Sequence, residues 1–381
     1  MIKTLTACSI EIDDPDTAVS EILEQLDLER AQLKNSVGLL ACHVDFMVEN
    51  DTVRKLCAEL PFDVIGIDTL GSATNRGGGQ FILNLTVLTS DDVFFSVGAS
   101  RPLTGDTEEK LRELYNMTQA GLPEEPKLIL FFCPFSGSLK MDFVVDYLNQ
   151  ISGGVPLFGM VPSDFTTSYR NPMVLFDGVT SDNTMALLML SGNITPKFDV
   201  INASIDKIIK RPAIVTEAED NILKKINNDS AIDYLNSIGL ADNRHIIGVQ
   251  PFALFFSYKD DVRPVARAVI GQTQEGHVIL AGNINVNGAI SVGVMDHDYI
   301  IETAKDMVTR NREYSFKLIA SCLYRNFALG LDNMDEIEAI RSNADVPFLF
   351  AYSGGEICPI ENSDGKLVNR HHNLALTCCS F

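Results

Sequence analysis

The apolar positions of the chain repeat one design three times. Val37-Gly-Leu-Leu-Ala-Cys42 is a short apolar run ending in cysteine. A helically spaced segment follows at Thr52–Leu60, then Pro61 and a second run, Val64-Ile-Gly66, leading to Gly71. Lys127-Leu-Ile-Leu-Phe-Phe-Cys133 opens the second copy, with a helical segment at Met141–Gln150 and a run at Val155-Pro-Leu-Phe-Gly159. Lys317-Leu-Ile-Ala-Ser-Cys322 opens the third, with a helical segment at Met334–Arg341 and a run at Val346–Tyr352 before Gly354. Short apolar runs bounded by turn signals and alternating with helical segments predict β-α-β units. Such units pair their strands in parallel with a right-handed crossover. The loops after both strands then open on one sheet edge, where ligands of open α/β sheets bind. Cys42, Cys133 and Cys322 are therefore expected near binding crevices, although a small apolar residue also suits a buried strand end.

Other segments predict antiparallel pairs. Phe81–Leu88 and Val93–Ser100 flank Asp91-Asp92, Val174–Phe176 and Met185–Leu190 flank Asp177-Gly178, and Ile284–Val286 and Ala289–Val294 flank Asn287-Gly288. The last is a strong two-residue hairpin signal. Residues 1–36 read as a helical lead-in, in which Asp16 caps a helix through Ala18, Ile22 and Leu26 with Arg30 late. Two short helices, Glu217–Lys225 and Ala231–Ser237, flank polar Asn227-Asn228-Asp229. The predicted class is α+β: two packed domains, 37–228 and 229–381, with mixed sheets flanked by helices.

Composition narrows the chemistry. A chain of 381 residues with 46% hydrophobic and 21% charged residues can bury two cores. The net charge of −21 disfavours nucleic acid and anionic membrane as partners, since binding either relies on Lys and Arg. No apolar stretch reaches the roughly 18–20 residues that span a bilayer. The N-terminus has Glu11, Asp13 and Asp14 where a signal peptide would keep an apolar core. A cytoplasmic protein is expected, with its eight scattered cysteines reduced.

Cofactor signatures are absent. Arg76-Gly-Gly-Gly79 has no following Lys-Ser/Thr and reads as a turn; no Gly-x-Gly-x-x-Gly follows a strand. No Gly-x-Ser-x-Gly elbow occurs, and Phe135-Ser-Gly-Ser138 reads as a loop that can cap a helix. With six histidines and neither Cys-x-x-Cys nor His-Glu-x-x-His, no metal site and no cofactor are expected. The adjacent pairs Cys378-Cys379 and His371-His372 point to opposite faces if extended.

The last thirty residues carry the strongest candidate chemistry. Tyr352-Ser-Gly-Gly-Glu356 places a carboxylate beside two glycines beyond a strand end, and Arg370-His-His-Asn373 enters an apolar terminal strand. The same groups could instead brace a turn and satisfy buried backbone. This ending resembles that of the FIST C domain, of the F-box and intracellular signal transduction proteins. Cys322-x-x-Arg325, Gln250-Pro-Phe-Ala-Leu, Arg267-Ala-Val-Ile and Ile284–Val294 resemble other elements of that domain, while Val64-Ile-Gly66 with Gly71, Pro156–Gly159 and Asp177-Gly178 resemble FIST N. Ser72 and Met160 depart from the family pattern.

The resemblance implies a sensory protein that binds a small metabolite, an amino acid or a related compound, and reports to a downstream signalling protein. Arg267, Cys322, Arg325, Glu356, His372 and Asn373 are expected to line the pocket, with an arginine clamping a carboxylate and Glu356 taking an ammonium. Two rivals stand beside it: a protein-binding scaffold, and a hydrolase or transferase with Cys322 as nucleophile, His372 as base and Glu356 as orienter.

Overall fold

The computed structural model describes residues 1–49, 51–134, 139–163, 172–202, 208–239, 241–242, 245–246, 252–256 and 264–381. The loop Phe135–Ser138 and the pair Gln250-Pro251 lie outside the described residues.

The three sequence units are three structural repeats. The first runs β1 (Lys3–Ser9), α1 (Pro15–Leu26), α2 (Leu28–Ala31), β2 (Asn35–Cys42), α3 (Asp45–Val48), α4 (Thr52–Glu59) and β3 (Val64–Asp68), then β4 (Ser72–Thr74), β5 (Gly78–Gly79) and β6 (Leu83–Ser90). The second runs β7 (Val93–Ala99), α5 (Thr107–Ala120), β8 (Leu128–Phe132), α6 (Met141–Ile151) and β9 (Leu157–Met160), then β10 (Val174–Phe176), β11 (Val179–Ser181) and β12 (Ala186–Gly192).

The third begins with β13 (Lys197–Ile201) and is interrupted by an insert. The insert comprises β14 (Ile208–Glu219), β15 (Ile222–Ile226), β16 (Asp229–Ser230), α7 (Ala231–Ser237), β17 (Ala241–Asp242), β18 (His245–Ile246) and β19 (Phe252–Phe256). It continues through β20 (Val265–Arg267), β21 (Val269–Gln272), β22 (Val278–Leu280) and β23 (Ala289–Val294). The third repeat then resumes with α8 (His297–Thr309), β24 (Lys317–Cys322), α9 (Leu323–Leu329), α10 (Asp335–Asn343), β25 (Phe348–Ser353), β26 (Glu356–Glu361), β27 (Leu367–His372) and β28 (Leu376–Ser380).

Each repeat owns a six-stranded sheet, in the orders β1-β6-β2-β3-β10-β11, β7-β12-β8-β9-β26-β27 and β13-β28-β24-β25-β4-β5. The predicted parallel pairs lie at the centres: β2 with β3, β8 with β9, β24 with β25. The last two strands of every sheet are lent by another repeat. The first repeat lends β4–β5 to the third, the third lends β26–β27 to the second, and the second lends β10–β11 to the first. The two halves of the chain are therefore packed by strand exchange.

The inner sheet faces share one core, which takes Leu39 and Ile65 from the first sheet, Leu130 and Phe158 from the second, and Leu318 and Leu349 from the third. Alternate residues face outward under helices: Leu40 and Leu85 under α1 and α4, Ile129 and Phe131 under α5 and α6, Ile319 and Phe350 under α8 and α10. Strands buried on both faces must be apolar at every position, which is why they read as unbroken runs. The insert has a core of its own, including Val215, Leu223, Leu235, Val278 and Ile290. Its main sheet has eight strands and receives none from the repeats.

Several expectations are corrected. The lead-in opens with a strand: Lys3–Ser9 pairs antiparallel with β6, and the helix begins after the Asp14 cap, whose side chain accepts from Thr17 N at 3.1 Å. β6 and β7 are not a hairpin, because the Asp91-Asp92 turn carries the chain from one sheet to the next. Across Asp177-Gly178, both at positive φ (44° and 80°), β10 pairs with Val179–Ser181, not with the strand at 186–192. β23 pairs with β14 and β19, not with 284–286. Glu217–Lys225 is no helix; it spans the end of β14, a turn at Asp220 with φ 51°, and most of β15. A register shift around Glu217 breaks the alternation that would have marked the strand. Cys42 and Cys133 lie in separate helix-covered cores, so the three cysteines do not meet at one crevice.

Candidate functional site

The β-α-β unit of the second repeat places α6 at the carboxyl edge of its sheet. The helix starts at Met141, and its N-cap, Lys140, supplies no side-chain hydrogen bond. Asp142 follows in the first turn, where a carboxylate is favoured by the helix dipole. The insert brings Arg267, at the end of β20, against it: Arg267 Nη2 donates to Asp142 Oδ1 at 2.8 Å. Asn283 N donates to Asp142 Oδ2 at 2.8 Å. The third repeat contributes His371 from β27, with Nδ1 3.6 Å from Asp142 Oδ2. Three parts of the chain thus converge on one carboxylate.

The convergence is tight. Arg267 is fully buried and also donates to His371 O at 2.9 Å and Asn283 O at 3.0 Å. A Cβ at Gly282 would lie 2.7 Å from both Arg267 Nε and Asp142 Oδ2, and one at Gly355 would lie 2.6 Å from His371 Nε2. Burial works against ionisation of Asp142, but the Arg267 guanidinium, with help from His371, holds its carboxyl well below the usual range.

A cavity of about 280 Å³ opens beside this group, between the insert and the second repeat. Met141, Val161, Ile270, Ile279 and Leu280 give it apolar walls; Lys140, Asp142, Asn283 and His371 give it a polar end. Lys140 is ion-paired with Asp220 of the insert. An adjoining space of about 270 Å³ shares Asp142, Asn283 and His371 and is bounded by Asp146, Asn369 and Arg370.

The residues expected from the sequence sit behind this cavity, none of them in its wall. Arg267 anchors Asp142. Arg325 is fully buried and committed to Glu336, with Nε at 2.9 Å and Nη2 at 2.7 Å from Oε1, so it is no clamp for an incoming carboxylate. Cys322 and Glu356 lie side by side in the interior; burial and the Glu356 carboxyl push the thiol well up, and burial pushes Glu356 up in turn. His372 donates from Nε2 to Cys358 O at 2.9 Å, and burial pushes it down to about 3, so it is neutral. Asn373 steadies its neighbours, donating to His372 O at 3.0 Å and lying 3.4 Å from His371 Nε2.

The error at His372 is one of strand parity. In the β26–β27 pair Glu356 faces His372 and Ile357 faces His371. Cys358 and Ile360 belong to the shared inner core, Ile357 to the core under α6. Glu356 and His372 therefore turn inward, and the next residue, His371, reaches the cavity. Sequence reasoning missed His371, Asp142 and Asn283. The signal for Asp142 was its place in the first turn after the strand-loop of a β-α-β unit.

Among the described residues no group of three or more His, Cys, Asp or Glu is arranged to hold a metal ion, and no helix is long and apolar enough to cross a membrane.

The family model of the FIST N domain matches residues 36–229, and that of the FIST C domain matches 231–359. The chain belongs to the FIST family, whose domains are associated with signal transduction. No curated protein matches it. Two solved structures are similar at low level. One is a cyanuric acid hydrolase from A. caulinodans, 8% identical over 100% of this chain and 98% of that one, with TM-score 0.37. The other is a cyanuric acid hydrolase described as an evolutionary innovation by structural concatenation, 9% identical over 100% and 98%, with TM-score 0.34.

Proposed function

We propose that this FIST chain is a non-catalytic sensor whose small-molecule ligand occupies the cavity between the insert and the second repeat. The observation that carries the reading is that Asp142 of the second repeat and His371 of the third meet in the wall of one space of about 280 Å³, with Arg267 of the insert paired to Asp142 behind it. Ligand pockets favour concave, mostly apolar sites with a few convergent polar groups, placed between domains and at the carboxyl edges of α/β sheets.

The mechanism follows from the two separate cores. The insert has its own hydrophobic cluster and meets the second repeat through charged contacts, Arg267–Asp142 and Lys140–Asp220. A ligand that touches both sides binds the docked arrangement better than any undocked one and shifts the population toward it by that difference. A downstream protein reads the exposed face of the insert. Cys322 takes no catalytic part in this scheme: its thiol is buried and held protonated, the opposite of an activated nucleophile.

A thermal-shift screen against a broad metabolite library tests the reading. A ligand at about 100 times its Kd adds about 2.7 kcal/mol and raises Tm by a few degrees. Ala281→Phe, which fills the cavity from its wall, is expected to abolish that shift. A library in which nothing moves the wild type, or hits that survive Ala281→Phe, would contradict it.

A further inference from the structure

Resting on the reading that the seam cavity holds a ligand, we propose that the ligand is uncharged, with an apolar body and one polar group that both donates and accepts hydrogen bonds, as an amide does. Among the described residues the cavity wall holds two charged side chains, Lys140 and Asp142, and each is matched within the protein. Lys140 is ion-paired with Asp220. Asp142 has Oδ1 on Arg267 Nη2 and Oδ2 on Asn283 N, each at 2.8 Å. His371 turns Nδ1 toward Asp142 Oδ2 at 3.6 Å. The positive end of the α6 dipole is met by the same Asp142, in the first turn of the helix. The sequence Phe135-Ser-Gly-Ser138 that precedes α6 adds no charged side chain.

A carboxylate or an ammonium entering this space must either break one of these pairs or lie there without a counter-ion. Both courses are strongly unfavourable, because a desolvated charge is tolerated only when it is paired. Neutral hydrogen-bonding groups are on offer instead. Among the described residues the Asn283 side chain, which borders this cavity and the adjoining space, makes no hydrogen bond, so its amide N–H and its carbonyl are both open. Asn221 donates from Nδ2 to Leu280 O at 2.8 Å and keeps Oδ1 open. An amide presents a donor and an acceptor side by side, the pattern that a carboxamide side chain complements. Val161, Ile270, Ile279 and Leu280 suit an apolar body. A cavity of about 280 Å³, set against the ~150 Å³ that admits benzene, holds roughly six to ten non-hydrogen atoms.

Isothermal titration of the full chain with 4-methylpentanamide, 4-methylpentanoate and 4-methylpentan-1-amine compares a neutral, an anionic and a cationic head on one skeleton. The amide should bind at least about tenfold tighter than either ion. Asn283→Ala keeps the backbone N–H that holds Asp142. It should weaken the amide about tenfold and leave the Tm of the free protein unchanged. The inference is overturned if either ion binds as tightly as the amide, or if Asn283→Ala leaves the amide's affinity undiminished. It is equally overturned by a charged library compound whose shift is lost in Ala281→Phe, a result that leaves the sensor reading standing; uncharged hits lost in that variant support it. A library without any hit sinks the sensor reading itself.

Discussion

Arg267 Nη2 and Asp142 Oδ1 lie 2.8 Å apart across the seam between the insert and the second repeat, 125 residues apart in sequence and with the arginine fully buried. A buried pair of this kind adds little against an apolar replacement, but removing one partner strands the other charge. Asp142→Leu and Arg267→Met are each expected to lower stability by about 3–5 kcal/mol, and the double variant by clearly less than the sum. Urea midpoints of the four proteins measure the cycle. Additive losses would show that the two side chains are not coupled.

The same pair sets an acid dependence. The folded value of Asp142 lies below the unfolded value of about 3.9. Between the two the unfolded chain binds more protons, so stability rises with pH there; the contribution is complete above the unfolded value and is lost as pH falls through the folded one. Asp142→Asn should lose part of the acid-induced drop in Tm that the wild type shows below about pH 4. An unchanged acid profile would mean that Asp142 is not held ionised.

Glu356 has the opposite sign. Burial lifts its folded value above the unfolded ~4.3, so the folded chain binds more protons in the window between, and stability falls as pH rises through it. Glu356→Gln keeps the shape without the charge. Its Tm relative to wild type should therefore be higher at about pH 8 than at about pH 4.5. A difference that does not vary with pH would place an ionised Glu356 in the folded protein.

The cysteines should react in an order set by burial. Cys8 is the one cysteine of the eight that is half-buried; the rest, Cys322 included, are buried. Alkylation of the native protein followed by mass spectrometry should label Cys8 first and leave Cys322 untouched until unfolding. Early labelling of Cys322 would restore it as a candidate nucleophile.

What the sequence made legible, and what it hid, has a common physical origin. The three β-α-β units could be read because parallel strands covered on both faces are built of near-continuous apolar runs, as in Leu128–Phe132 and at 348–352. Turn signals were also sound as turns: Asp177-Gly178 and Asn287 are at positive φ. What a turn does not encode is the partner that the next strand finds. The exchange of β4–β5, β10–β11 and β26–β27 among the repeats follows from long-range packing, and the misassigned hairpins at Asp91-Asp92 and Asn287-Gly288 failed for that reason.

The site was legible to within a neighbour. Glu356 and His372 were expected in one pocket, and they do face each other in the β26–β27 register. Their face was not legible, because strand parity is fixed by which side packs on the shared core, and a one-residue step moves His371 into the cavity and His372 out of it. Arg267, expected to line the pocket, is instead committed to Asp142, which lies in another repeat. Arg325 was drawn away by Glu336, only eleven residues on, through α10 folding back over β24.

Paired thermal-shift measurements on the wild type and on Ala281→Phe against one metabolite library test the central claim most directly. The account predicts at least one compound that stabilises the wild type by a few degrees and has no effect on the folded, cavity-filled variant. Equal shifts in both proteins would place the ligand elsewhere and contradict it.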